Sequence, residues 1–92
     1  MTIVDVTLNV HRDAPSELDD LLDEAARRAY RRQTKSRKQI GVWHWNSDGW
    51  SSDGSYSLFR ATITGKRSSS GYPVIAEAHA RVNWIEFNQE AE

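Results

Sequence analysis

Residues 73 to 87 read PVIAEAHARVNWIEF, and the fold turns on how this stretch alternates. Val74, Ala76, Ala78, Ala80, Val82 and Trp84 fall on one side, and Ile75, Glu77, His79, Arg81, Asn83 and Ile85 on the other. That is the period of a strand with one buried face. The three consecutive alanines leave room on that face for a large neighbour. Immediately before it, KRSSSGYP has the composition of a flexible loop. YSLFRATITGK before that is a second strand, with Phe59, Ala61 and Ile63 on one face and Tyr56, Leu58, Arg60, Thr62 and Thr64 on the other.

Further back, IGVWHW has strand composition, and NSDGWSSDGS reads as a ten-residue loop with turn signals at Asp48-Gly49 and Asp53-Gly54, which predicts a hairpin. The segment DAPSELDDLLDEAARRAYRRQ places Leu18, Leu21, Leu22, Ala25, Ala26, Ala29 and Tyr30 at the spacing of one helical face. Ser16 is the expected N-cap after Pro15, and Asp19 three residues later resembles a capping box with Asp in place of the usual Glu. Acids crowd the first turns and arginines the last, as the helix dipole favours, and Asp23/Arg27 and Glu24/Arg28 are i,i+4 pairs. MTIVDVTLNV alternates as a first strand, Val4, Val6, Leu8 and Val10 opposing Asp5, Thr7, Asn9 and His11.

The order strand, helix, strand, strand, strand predicts an α+β domain over residues 1–92: one helix packed on one face of a four-stranded, mainly antiparallel sheet. Ninety-two residues are too few for two domains. At 38% apolar and 27% charged the composition is that of a globular protein, and no apolar run approaches the roughly 20 residues of a membrane span. The N-terminus lacks the pattern of a secretory signal, and without cysteine there is no disulfide framework, so a cytoplasmic setting, in a host or a virus-infected cell, is expected. So small a core makes a homo-oligomer a natural expectation.

The aromatic stretch GVWHWNSDGW holds Trp43, Trp45 and Trp50. Trp43 and Trp45, two residues apart, are expected to share a strand face. They either fill the space over the alanines or form an open binding or oligomer surface. Trp50, in the middle of a polar loop, is either a recognition anchor or folds back over a sheet edge. Partner contact is assigned to Trp43, Trp45, Trp50 and Tyr56.

The stretch RRAYRRQTKSRK, residues 27 to 38, carries seven of the twelve lysines and arginines, and Arg28, Arg31, Arg32, Lys35, Arg37 and Lys38 are assigned to a nucleic-acid or acidic-partner contact. The overall charge of −1 weighs against nucleic acid, and a solvated helix end is the plainer reading of the cluster. Glu77, His79 and His44 could approach one another, but their spacing fixes no ligand geometry. The NSDGWSSDG loop lacks the spacing of a calcium loop, and SGYP lacks the GK[ST] of a phosphate loop. No catalytic residue, metal or cofactor is assigned.

The element order is similar to that of two small folds. One is the cystatin-like wrap of a sheet around a helix, whose QxVxG loop is absent here. The other is the dodecin type of flavin-binding assembly, in which a helix, a Trp-bearing strand and a DG turn follow in this order; residues 74 to 92 would be an addition to it. The first expectation is therefore a non-enzymatic module engaging a protein partner, by analogy with phage inhibitors and accessory factors. The alternatives are a single-stranded nucleic-acid binder and a dodecin-like oligomer holding a flat aromatic ligand such as flavin.

Overall fold

A computed structural model describes residues 2–12 and 17–85. Strand β1 (Thr2–His11) leads to helix α1 (Leu18–Thr34), which is followed by β2 (Gly41–Trp50), β3 (Tyr56–Thr64) and β4 (Val74–Ile85). The sheet order is β1-β4-β3-β2, so β4 is central. It pairs antiparallel with β3 and parallel with β1, from Thr2 opposite Ala76 to His11 opposite Ile85. The fold is α+β as expected from the periodicities, with one parallel pairing among three.

The alternation of β4 is realised from Ala76 to Val82, where Ala76, Ala78, Ala80 and Val82 are buried. A register shift against β3 between Ile63 and Thr64 breaks it at the start, so that Val74, expected on the buried face, is 53% exposed and Thr64, expected on the face opposite to that of Ile63, is buried with it. Val4, Val6 and Val10 of β1, and Ala61 and Ile63 of β3, complete the sheet side of the core, with Ile40 and Val42 beside them. Leu22 and Ala26 close it from the helix side. The alanines thus serve to let a helix lie close. Leu22, Ile63, Val4 and Val82 are fully buried, each contributing about 1.5–3 kcal/mol of transfer energy. Leu21, read as part of the apolar face, is instead 38% exposed.

The expected N-cap Ser16 lies outside the described residues. The position before α1 is Glu17, whose side chain makes no capping hydrogen bond. At the other end Lys35 takes the left-handed conformation usual for glycine (φ 58°) and its N–H donates to the Arg31 carbonyl at 2.8 Å. Of the two expected i,i+4 pairs Glu24 and Arg28 form one. Asp23 turns to β2 instead, its Oδ1 accepting from Trp45 Nε1 at 2.6 Å, and Arg27 donates to the carbonyl of Ile40, just before β2, at 2.7 Å.

Two further expectations are corrected in the connections. β2 does not end at Trp45 but continues to Trp50, opposite Ser57, so Trp50 is a strand residue and the loop is only 51–55. Asp48-Gly49 is not a turn; Gly49 (φ 127°) lies in a register irregularity within β2. KRSSSGYP, in turn, folds as a small hairpin: Ser68 and Gly71 exchange backbone hydrogen bonds at 2.7 and 3.0 Å, and the Gly65 N–H donates to the Pro73 carbonyl.

Candidate functional site

A β-bulge decides the tryptophan arrangement. Trp43 pairs with Thr62 and Asn46 with Arg60, so His44 and Trp45 together oppose the single residue Ala61. His44 takes φ 62° to make this possible. One extra residue reverses the parity of the strand. Val42 and Trp45 therefore both face the helix, while Trp43 faces the open side of the sheet. Trp43 and Trp45 do not share a face, contrary to the sequence reading. Trp45 is half-buried against the core and tied to Asp23; Trp43 is 43% exposed.

The Trp43 indole lies flat along its own strand. A Cβ on Gly41 would come within 2.7 Å of its Nε1, so the absence of a side chain at residue 41 is what admits the ring. Its Nε1 donates to Thr64 Oγ1 at 2.8 Å, and Thr64 is buried beneath it. Tyr72, from the β3–β4 hairpin, stands 5.9 Å away at 54° to the indole plane and is 53% exposed. Two aromatic rings are thus presented side by side, one of them anchored.

Beside them runs a groove of about 520 Å³, to which α1 contributes Arg27 and Arg31 and the hairpin Lys66 and Arg67. Gln39, Gly65 and Lys66 are shared with a second hollow of about 650 Å³, lined also by Tyr30, Lys38 and Ile75. Together the two neighbouring hollows are lined by five cationic side chains, three aromatic rings and no Asp or Glu. The net charge of −1 conceals this separation: Asp19 and Asp20 sit at the first turn of α1, and Arg31 and Arg32 at the last.

Of the residues assigned from sequence, Trp43 and Arg31 line the first hollow and Lys38 the second. Arg28 and Arg32 face the other flank of the helix, toward β1. Lys35 is the helix C-cap, and Lys35 and Arg37 are exposed. Trp50 is 72% exposed but pairs with Ser57, five β3 residues or about 17 Å from the Trp43 pairing position. Tyr56 lies under the Arg81 guanidinium at 3.9 Å, a cation–π contact on the same distant half of the sheet. The sequence reading missed Lys66, Arg67, Tyr72 and Thr64, and left Arg27 out of the contact set. The signal for three of them stood in KRSSSGYP, which pairs two cations with an aromatic.

Elsewhere the open face carries polar contacts among apolar residues such as Ile3, which is 47% exposed. His79 Nε2 and Glu77 Oε1 are 3.0 Å apart, and that contact holds the Glu77 carboxyl below its ordinary pKa. Arg60 reaches Asp48 at 3.4 Å, and Arg81, Asn83 and Asn9 form a hydrogen-bonded chain. His44 is exposed at its bulge, and no group of three metal-ligating side chains occurs among the described residues. No helix among them is long and apolar enough to cross a membrane.

No known family matches the chain, and neither a curated protein nor a solved structure shows significant similarity to it.

Proposed function

We propose that the protein is a non-enzymatic binding module that holds single-stranded nucleic acid in the groove between the end of α1, Trp43 and the β3–β4 hairpin. One observation carries this reading: Arg27, Arg31, Lys66 and Arg67 line a groove with Trp43 and Tyr72 and no carboxylate, and Lys38 lines the hollow next to it. Cations along a groove neutralise phosphates, and exposed ring faces stack on unpaired bases, with little regard to sequence. The size of the first hollow, about 520 Å³, suits a nucleotide-sized group. A duplex fits less well, because its bases are already stacked on each other.

The test is fluorescence anisotropy of a labelled oligothymidylate over a salt series. Three to four phosphate contacts on a single strand correspond to a slope of log K against log salt of roughly −2 to −3. Thymidylate is expected to bind and an acidic peptide of equal charge to bind far more weakly. Equal binding of the two would assign the groove to an acidic protein partner. No binding of either would remove the reading.

A further inference from the structure

The two edges of the sheet are unlike. β2 is interrupted twice, between Trp43 and Asn46 and between Ser47 and Gly49, and an edge so kinked does not template another strand. β1 runs for ten residues with no register shift against β4. Its backbone polarity is fixed by two bonds. The Arg12 N–H donates to the Ile85 carbonyl at 3.0 Å, which turns the even-numbered residues toward β4. The Ile3 carbonyl accepts from Gln33 Nε2 at 3.2 Å on the other side, as an outward-facing odd residue would. The N–H and C=O groups of Asp5, Thr7 and Asn9 therefore point away from the sheet, and among the described residues nothing pairs with them there.

Helix α1 lies beside this edge and reaches it only at the Ile3 end, through Gln33. Ala25 and Ala29 are small enough to leave a hollow of about 210 Å³ between helix and strand, bordered by Arg28, Arg32, Asp5 and Thr7. Its charge is mixed, since Glu24 pairs with Arg28 along the same flank.

We propose that a second copy of this chain occupies the edge, β1 pairing antiparallel with β1 about a two-fold axis at Thr7. In that register Thr7 faces Thr7 and Asp5 faces Asn9 on the open side, while Val6 faces Leu8 and Val4 faces Val10 on the helix side. No like charges meet, and every core-side pair is apolar. Because α1 runs antiparallel to β1, the two helices also lie antiparallel. The acidic first turns of one then sit beside the arginine-rich last turns of the other, a complementarity that an acidic peptide would not satisfy. The pairing joins the two sheets into one of eight strands and leaves the cationic groove, on the far side of the molecule, open.

The experiment is sedimentation of the full chain at micromolar concentration, combined with amide hydrogen exchange read residue by residue. Twice the 10.5 kDa chain mass, with slow exchange at Asp5, Thr7 and Asn9, is expected. Thr7→Lys sets two ammonium groups against each other at the axis and should weaken the dimer by roughly tenfold or more. A monomer overturns the proposal. So does a dimer whose Asp5, Thr7 and Asn9 amides exchange fast, a reading that needs no variant and decides the matter even if Thr7→Lys fails to fold.

Discussion

Trp45 donates its indole N–H to Asp23 of α1 at 2.6 Å, a bond that Trp43, two residues earlier in the same strand, could never make because it lies on the other side of the sheet. The extra residue at the His44 bulge thus divides two adjacent tryptophans between structure and surface.

The division predicts a ranking of stabilities. Trp45→Ala loses packing against the core and a hydrogen bond to a carboxylate, and should cost about 2–4 kcal/mol. Trp84→Ala should cost a similar amount, since Trp84 packs on the core and donates to Ser57 Oγ at 2.9 Å. Trp43→Ala should cost about 1–2 kcal/mol, and Trp50→Ala, at a site 72% exposed, less than about 0.5 kcal/mol. Urea denaturation of the four variants checks the order; a Trp43→Ala loss as large as that of Trp45→Ala would place Trp43 in the core.

His44 holds a left-handed conformation that costs a side chain energy and glycine nothing. His44→Gly should leave stability within about 1 kcal/mol of the parent, while His44→Val, branched at Cβ, should cost about 1–3 kcal/mol. Chemical denaturation separates them, and the reverse order would mean that the bulge is not formed.

Asp53 closes the β2–β3 loop by accepting from the Ser55 N–H at 3.0 Å, and with the nearby serine hydroxyls this lowers its pKa to about 2. A carboxyl held below its ordinary value stabilises the fold above the unfolded pKa, and that contribution is lost as pH falls through the folded one. The loop should therefore loosen between about pH 4 and pH 2. Titration of the Asp53 carboxyl by NMR should give a midpoint near 2; a midpoint at 3.8 would show that the loop bonds do not form in solution.

In the groove, Lys66→Glu with Arg67→Glu should lower oligonucleotide affinity at least tenfold with stability unchanged, both side chains being exposed. Gly41→Ala should act on the same property from beneath. Its methyl group occupies the place of the Trp43 ring, so the indole must leave Thr64 and the stacking surface changes shape. Anisotropy titration of each variant reads the effect; unchanged affinity in both would put the binding surface elsewhere.

The periodicities of β1, α1 and most of β3 and β4 were legible because each has one buried face; the one break in the β3–β4 ladder, between Ile63 and Thr64, falls at its end. β2 was not, because a bulge costs only one residue and leaves no trace in composition: His44 gives no warning of a positive φ, and Asp48-Gly49 looks like a turn whether it makes one or distorts a strand. The basic end of α1 could be seen, but not its sorting. Helical geometry sends Arg27 and Arg31 to one flank and Arg28 and Arg32 to the other, and only the position of β1 says which flank meets Trp43. Tyr72, Lys66 and Arg67 stand together in KRSSSGYP, but the Ser68–Gly71 hairpin brings them to Trp43, a long-range closeness that this local pattern does not record.

The most direct measurement is a heteronuclear NMR titration of the four tryptophan indole N–H signals with oligothymidylate. Trp43 should shift strongly on binding, while Trp45 and Trp84, hydrogen-bonded to Asp23 and Ser57, and the distant Trp50 stay nearly still. A shift confined to Trp50, or none at all, would contradict the assignment of the groove to single-stranded nucleic acid.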